Sequence, residues 1–208
     1  WAEANTREAI YKALLSKETF ATSGVRLKVR VFGGYDFTNT VFDNKDWITN
    51  AYKNGVPMGS DLSKSTGKAP SFIIQAIKET DGANLDRIQI IKGWVDDKGE
   101  TYEKIYNVAL SDDRTVDSNG KVAPVGNTVD AKNASYTNDI GAAELKTVWT
   151  DPDFDAEQHA FYYARVIQIP TPRWSTYDAK TLGVEPRDDL PVSIQERAWS
   201  SPIWYNPN

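Results

Sequence analysis

From Pro70 onward the chain is cut at short intervals by turn-forming residues, with no long amphipathic helix between them. Strand-like runs occupy 71–79, 86–95, 101–110, 145–150, 160–169 and 194–205, the last reading as two short strands. Between them stand Asp81-Gly82, Asp96-Asp97-Lys98-Gly99, Asp117-Ser118-Asn119-Gly120, Asp151-Pro152-Asp153 and the segment from Pro170 to Arg173. Asp-Gly and Asn-Gly pairs supply the positive φ that tight hairpin turns require. Parallel strands would need crossover helices, so this pattern predicts a mainly β chain built as an antiparallel β-sandwich.

Upstream the pattern differs. Asn5 and Glu8 have the spacing of a capping box, and Ala9, Ile10, Ala13 and Leu14 then form one apolar stripe of a short helix. A period-2 strand follows, with Val25, Leu27, Val29 and Val31 on one face and Arg26, Lys28 and Arg30 on the other. From Gly33 to Gly67, glycines, asparagines and Pro57 alternate with Phe37, Val41, Phe42, Trp47, Ile48 and Tyr52. That stretch is too apolar for a disordered linker and predicts a wrapped excursion with short strands. The expected organisation is therefore 1–32 as helix and strand, 33–70 as a connecting region and 71–208 as the sandwich. Asp151-Pro-Asp-Phe-Asp155 leading into Phe161-Tyr-Tyr-Ala-Arg-Val166 reads as a corner followed by a strand, with Tyr162 or Tyr163 as a corner tyrosine. The strand order and this corner point to an immunoglobulin-like arrangement.

Composition removes whole classes of chemistry. There are no cysteines and a single histidine, His159, which excludes disulfide scaffolds, thiolate zinc sites, cysteine nucleophiles and multi-histidine metal centres within this chain. With 24 basic and 29 acidic residues the formal net charge is 24 − 29 = −5, which argues against a nucleic-acid partner. No stretch approaches the ~20 apolar residues of a membrane span, so no membrane partner is expected. The opening Trp1-Ala-Glu-Ala-Asn5 lacks the basic and apolar regions of a signal peptide, and the absence of an initial methionine leads us to expect chain upstream. Periplasmic and cytoplasmic locations both remain open on these grounds.

Several groups carry oxygens or rings that chemistry could use. Asp151, Asp153 and Asp155 alternate as D-x-D-x-D, a calcium candidate. Ala156 stands where the EF-hand glycine belongs and Tyr162 where the bidentate glutamate belongs, so a turn is the simpler reading. Asp112, Asp113 and Asp117 read as a solvated hairpin tip, and His159 as a histidine at a strand edge without a second histidine for a relay. The segment Gly55-Val-Pro-Met-Gly-Ser-Asp61 is glycine-rich but lacks the GK[ST] ending of a phosphate cradle. Asn133-Ala-Ser135 is a glycosylation sequon, meaningful only in a eukaryotic secretory setting. Twenty-four aromatics (7 Trp, 10 Tyr, 7 Phe) pack a core or present sugar-stacking faces. For Tyr162, Tyr163 and Trp199, core packing is the expectation.

Five runs carry a resemblance: Gly82-Ala-Asn-Leu-Asp-Arg-Ile-Gln-Ile-Ile-Lys-Gly-Trp94, Pro124-Val-Gly-Asn-Thr-Val-Asp130, Gly141 through Phe154, Ile169-Pro-Thr-Pro-Arg-Trp174 and Ile194 through Trp204. Together they resemble the C-terminal part of a large bacterial family of unknown function, whose N-terminal part is similar to the polymerase-and-histidinol-phosphatase (PHP) metal hydrolases. Trp1 through Ile10 and Glu18-Thr-Phe-Ala-Thr-Ser-Gly24 resemble the closing helix and turn of that barrel. The resemblance implies a parent with divalent metals upstream and no catalytic residue or cofactor in this chain. It implies a non-catalytic scaffold whose partner is the upstream domain of the same chain, with Asp61 and Arg173 facing a cleft. The competing expectation is an independent carbohydrate- or protein-binding module that uses exposed aromatics.

Overall fold

In the computed structural model, which describes residues 1–208, two largely antiparallel sheets form the body of the fold. The elements run α1 (Arg7–Leu15), β1 (Phe20–Thr22), β2 (Lys28–Gly34), a 3-10 turn (Asn39–Asp43), α2 (Trp47–Asn54), β3 (Val56–Pro57), β4 (Asp61–Leu62) and β5 (Ser71–Ile77). They continue with β6 (Leu85–Val95), β7 (Thr101–Leu110), β8 (Glu144–Thr150), β9 (His159–Gln168), β10 (Thr171–Pro172), α3 (Trp174–Leu182), β11 (Ser193–Ile194), β12 (Arg197–Ser200) and β13 (Ile203–Tyr205). No helix is long and apolar enough to cross a membrane.

The smaller sheet has the order β3-β2-β5-β8. In the larger one β9 is central: β6 lies on one flank and pairs outward with β7, while β12 and β13 share the other flank. Beyond them, β1 continues from β12 in antiparallel sense and β4 from β13 in parallel sense. A pair of residues in β10 and β11 makes a third, minor ladder. Residues 20–34 thus run in both sheets, β1 at the edge of one and β2 inside the other.

Strand alternation explains the core. Val29 and Val31 of β2, Phe72, Ile74 and Ala76 of β5, Ile88 and Ile90 of β6, and Tyr162, Ala164 and Val166 of β9 fall at every second position and belong to one buried cluster. The strands from 71 to 110 lie within two residues of the sequence reading, and Thr101–Leu110 matches it at both ends. Tyr162, one of the two expected corner tyrosines, is fully buried and donates to Asp151 at 2.7 Å. Tyr163 and Trp199, expected in the core, are half-buried instead.

Other expectations are corrected. The excursion from 33 to 70 holds helix α2 as well as short strands; Ala51 is buried beside Phe32 and Ile73, giving the helix its own small core. A third helix, α3, follows Arg173 and ends at Gly183, whose φ of +66° is the left-handed cap that glycine tolerates. Helix α1 is capped by Thr6, which accepts from the Ala9 amide at 3.2 Å, not by Asn5. The C-terminal run divides into three short strands, β11 to β13.

Candidate functional site

The residues singled out from sequence occupy separate places. Asp61 is exposed on β4 and sits in register beside Trp204 of β13. Arg173 precedes α3, beyond the other end of β9; its backbone amide donates to Val192 at 2.9 Å, and its buried Nε has no partner. No hydrogen bond, ion pair or shared cavity joins the two. Asp112 accepts from Ser111 and the Gly141 amide, and Asp117 from the amides of Asn119 and Lys121, so both stabilise turns. His159 is exposed at the start of β9, its Nδ1 3.1 Å from the Asn206 side-chain oxygen.

The aspartates of the D-x-D-x-D run do not converge. Asp151 is buried and directs Oδ2 at the Lys92 ammonium, 2.6 Å away, while its Oδ1 accepts from the Asp153 amide at 2.9 Å. Asp153 turns outward to Lys104 at 2.5 Å and to the Tyr106 hydroxyl at 2.6 Å. Asp155 accepts from the Glu157 amide. A lysine ammonium stands where a calcium ion would have to sit, and no group of three or more His, Cys, Asp or Glu side chains in the chain could hold a metal ion.

Lys92 is the residue that sequence reading passed over. Its side chain is 3% exposed and that of Asp151 0%. The ammonium also donates to the Asp153 carbonyl at 2.7 Å and lies 5.3 Å from the Trp94 ring centre. An ion pair so placed needs these extra bonds, because desolvating two charges costs more than their attraction alone returns. The signal was present: Lys92 continues the parity of Ile88 and Ile90, which faces the core.

On the outer face of the larger sheet a different arrangement appears. Pairing across five strands aligns Glu103 of β7, Gly93 of β6, Phe161 of β9, Trp204 of β13 and Asp61 of β4 in one row. A Cβ on Gly93 would lie 2.3 Å from Cζ of Phe161, so only glycine lets that ring lie across its neighbouring strand. Phe161 stacks on Tyr163 (centroids 6.4 Å, interplanar 12°) and meets Trp204 at 5.2 Å. On the opposite face, in the core-facing parity of Lys92, Trp94 and Tyr102 stack at 5.4 Å and 16°. On the outer face Phe161 and Trp204, with Thr101, Glu103, His159 and Asn206, border a cleft of about 510 Å³. The sequence supplies the aromatics but no means to place Trp204 beside Phe161, because strand pairing sets that contact.

Tyrosines elsewhere carry the clearest shifts. Burial and then the Tyr205 charge push Tyr35 up to about 12, and burial with the Glu18 hydrogen bond does the same to Tyr52. Burial raises Tyr106 and Tyr162 further, assisted by the Asp153 hydrogen bond and the Asp151 charge respectively. A folded-state pKa above the unfolded value of 10.0 contributes stability that is complete below pH 10 and is lost as pH climbs toward and past 12. Melting temperature should therefore stay level on approach to pH 10 and then fall. In the 295 nm titration these four phenols should ionise above the ordinary tyrosine range, Tyr106 and Tyr162 last. A set of four that ionises near pH 10 with the fold intact would contradict this.

No curated protein and no solved structure matches this chain. One family model does, and it covers residues 1–207. The chain belongs to that family, proteins of unknown function (DUF3604).

Proposed function

We propose that this chain is a non-catalytic supporting region that packs through helix α1 on a metal-hydrolase-like domain upstream in the same polypeptide. Residues 1–32 join that domain to the two sheets, which make an immunoglobulin-like sandwich. The carrying observation is the state of α1. None of its residues is buried, and Ile10, Tyr11, Leu14 and Leu15 are all exposed. Nine residues are too few for a helix to be stable in water without a packing partner. Each large apolar side chain left in water forgoes about 1.5–3 kcal/mol that burial would return.

The end of α1 is nevertheless held in place. Gly59, at φ +90°, presses so closely on the turn after the helix that a Cβ would meet the Lys17 carbonyl oxygen at 2.3 Å. The helix is thus fixed at its exit, with Ile10, Tyr11, Leu14 and Leu15 outward and only Ala9 and Ala13 half-buried. Amide hydrogen exchange tests the reading: α1 should exchange about 100-fold more slowly in the longer parent protein than in the 208-residue chain. Leu14→Glu should change the melting temperature of the short chain little, because it replaces an exposed side chain. In the parent the same change should lower it by several degrees. Equal exchange of α1 in both proteins would end the proposal.

A further inference from the structure

We infer that the aromatic cleft on the outer face of the larger sheet binds a short neutral oligosaccharide. Its volume of about 510 Å³ lies in the range of small-molecule sites, and its floor is built by strands, which hold positions more rigidly than loops. Trp204 is 42% exposed and lies against the half-buried Phe161, so a ring face that packing would normally cover stands open to solvent. Aromatic faces carry negative charge density and attract the slightly positive C–H faces of pyranose rings, while burying apolar area.

Polar groups stand around the rings as sugar hydroxyls require. Glu103 supplies an acceptor, Thr101 a hydroxyl that donates or accepts, and His159 a second ring nitrogen beyond the one engaged by Asn206. The mixture of an apolar floor and a dispersed hydrogen-bonding rim separates this site from an apolar protein-docking groove, where unpaired rim groups would be costly. Glu103 is the one carboxylate in the lining, and no lysine or arginine borders the cleft. A site with that balance disfavours uronic or sulfated sugars. Gly93 shapes the site: without a Cβ it admits the Phe161 ring, which with Trp204 forms the apolar floor.

Isothermal titration calorimetry of the 208-residue chain with cellotetraose and with tetragalacturonate tests the inference. Cellotetraose should bind with a Kd of about 1 mM or tighter, and tetragalacturonate at least about tenfold more weakly. Trp204→Ala should weaken cellotetraose binding about tenfold, and Trp174→Ala, a change at the 72% exposed tryptophan of α3, should leave it unaltered. Glu103→Gln, a change of nearly equal shape at an exposed position, should relax the discrimination against tetragalacturonate. No heat from cellotetraose up to about 10 mM would overturn the inference. So would an affinity unchanged by Trp204→Ala, or discrimination unchanged by Glu103→Gln.

Discussion

Lys92→Met is expected to cost about 3–5 kcal/mol of folding stability, because it leaves the Asp151 carboxylate buried without its counter-charge. The lost bonds are specific: the ammonium reaches Asp151 at 2.6 Å and the Asp153 carbonyl at 2.7 Å, tying β6 to the corner that precedes β9. Tyr162 still donates to Asp151, but a single hydroxyl cannot replace a full charge. The neighbouring pair supplies the control. Lys104 and Asp153 lie at a similar separation, yet about half of each side chain is exposed, so Lys104→Met should cost less than about 1 kcal/mol. Adding Asp151→Asn to Lys92→Met removes the orphaned charge while keeping one acceptor oxygen, for Tyr162 or for the Asp153 amide. The double variant should recover at least about half of the loss. Urea unfolding of the four proteins measures this. If Lys92→Met and Lys104→Met cost the same, burial is not what makes the Lys92 pair matter.

The contrast between these two lysines shows what a sequence carries and where it stops. Period-2 alternation and Asp-Gly turns located β5, β6 and β7 closely, because both signals are local and the strands are long. Parity even marks Lys92 as inward, but nothing near it in sequence announces Asp151, which lies 59 residues away. Helices α2 and α3 were missed because eight or nine residues with threonine, asparagine and aspartate inside give a poor helical pattern, and tertiary packing of Ala51 and Ala179 holds them instead. The aromatic row fails to show for a related reason. Gly93, Phe161 and Trp204 are far apart along the chain, and only the choice of β6 and β13 as neighbours of β9 makes them adjacent. Family membership was legible from long matching runs, which report descent and not chemistry.

Asp86→Ala should destabilise the opposite end of β6 by about 3 kcal/mol, for a reason that begins in the backbone. The register between β6 and β9 shifts between Leu85 and Arg87, so Asp86 is the extra residue of a β-bulge. The bulge frees its carbonyl to accept from the Ser111 amide, the Ser111 hydroxyl and Arg114. Its buried carboxylate then takes Arg114 on one oxygen at 2.6 Å and the Gln195 amide on the other at 2.8 Å. Removing it strands a guanidinium that is only 10% exposed, along with the side chain that links β6 to the segment before β12. Arg114 keeps backbone acceptors at Ser111 and Ala123, which holds the cost below that of a wholly unpartnered charge. Asp86→Asn retains an acceptor for Gln195 but not the charge, and should fall between wild type and alanine. Pairing Asp86→Ala with Arg114→Leu removes both charges, so the double variant should be more stable than Asp86→Ala alone. If it is less stable by the sum of the two single losses, Arg114 works through its backbone bonds and the charge pair contributes nothing.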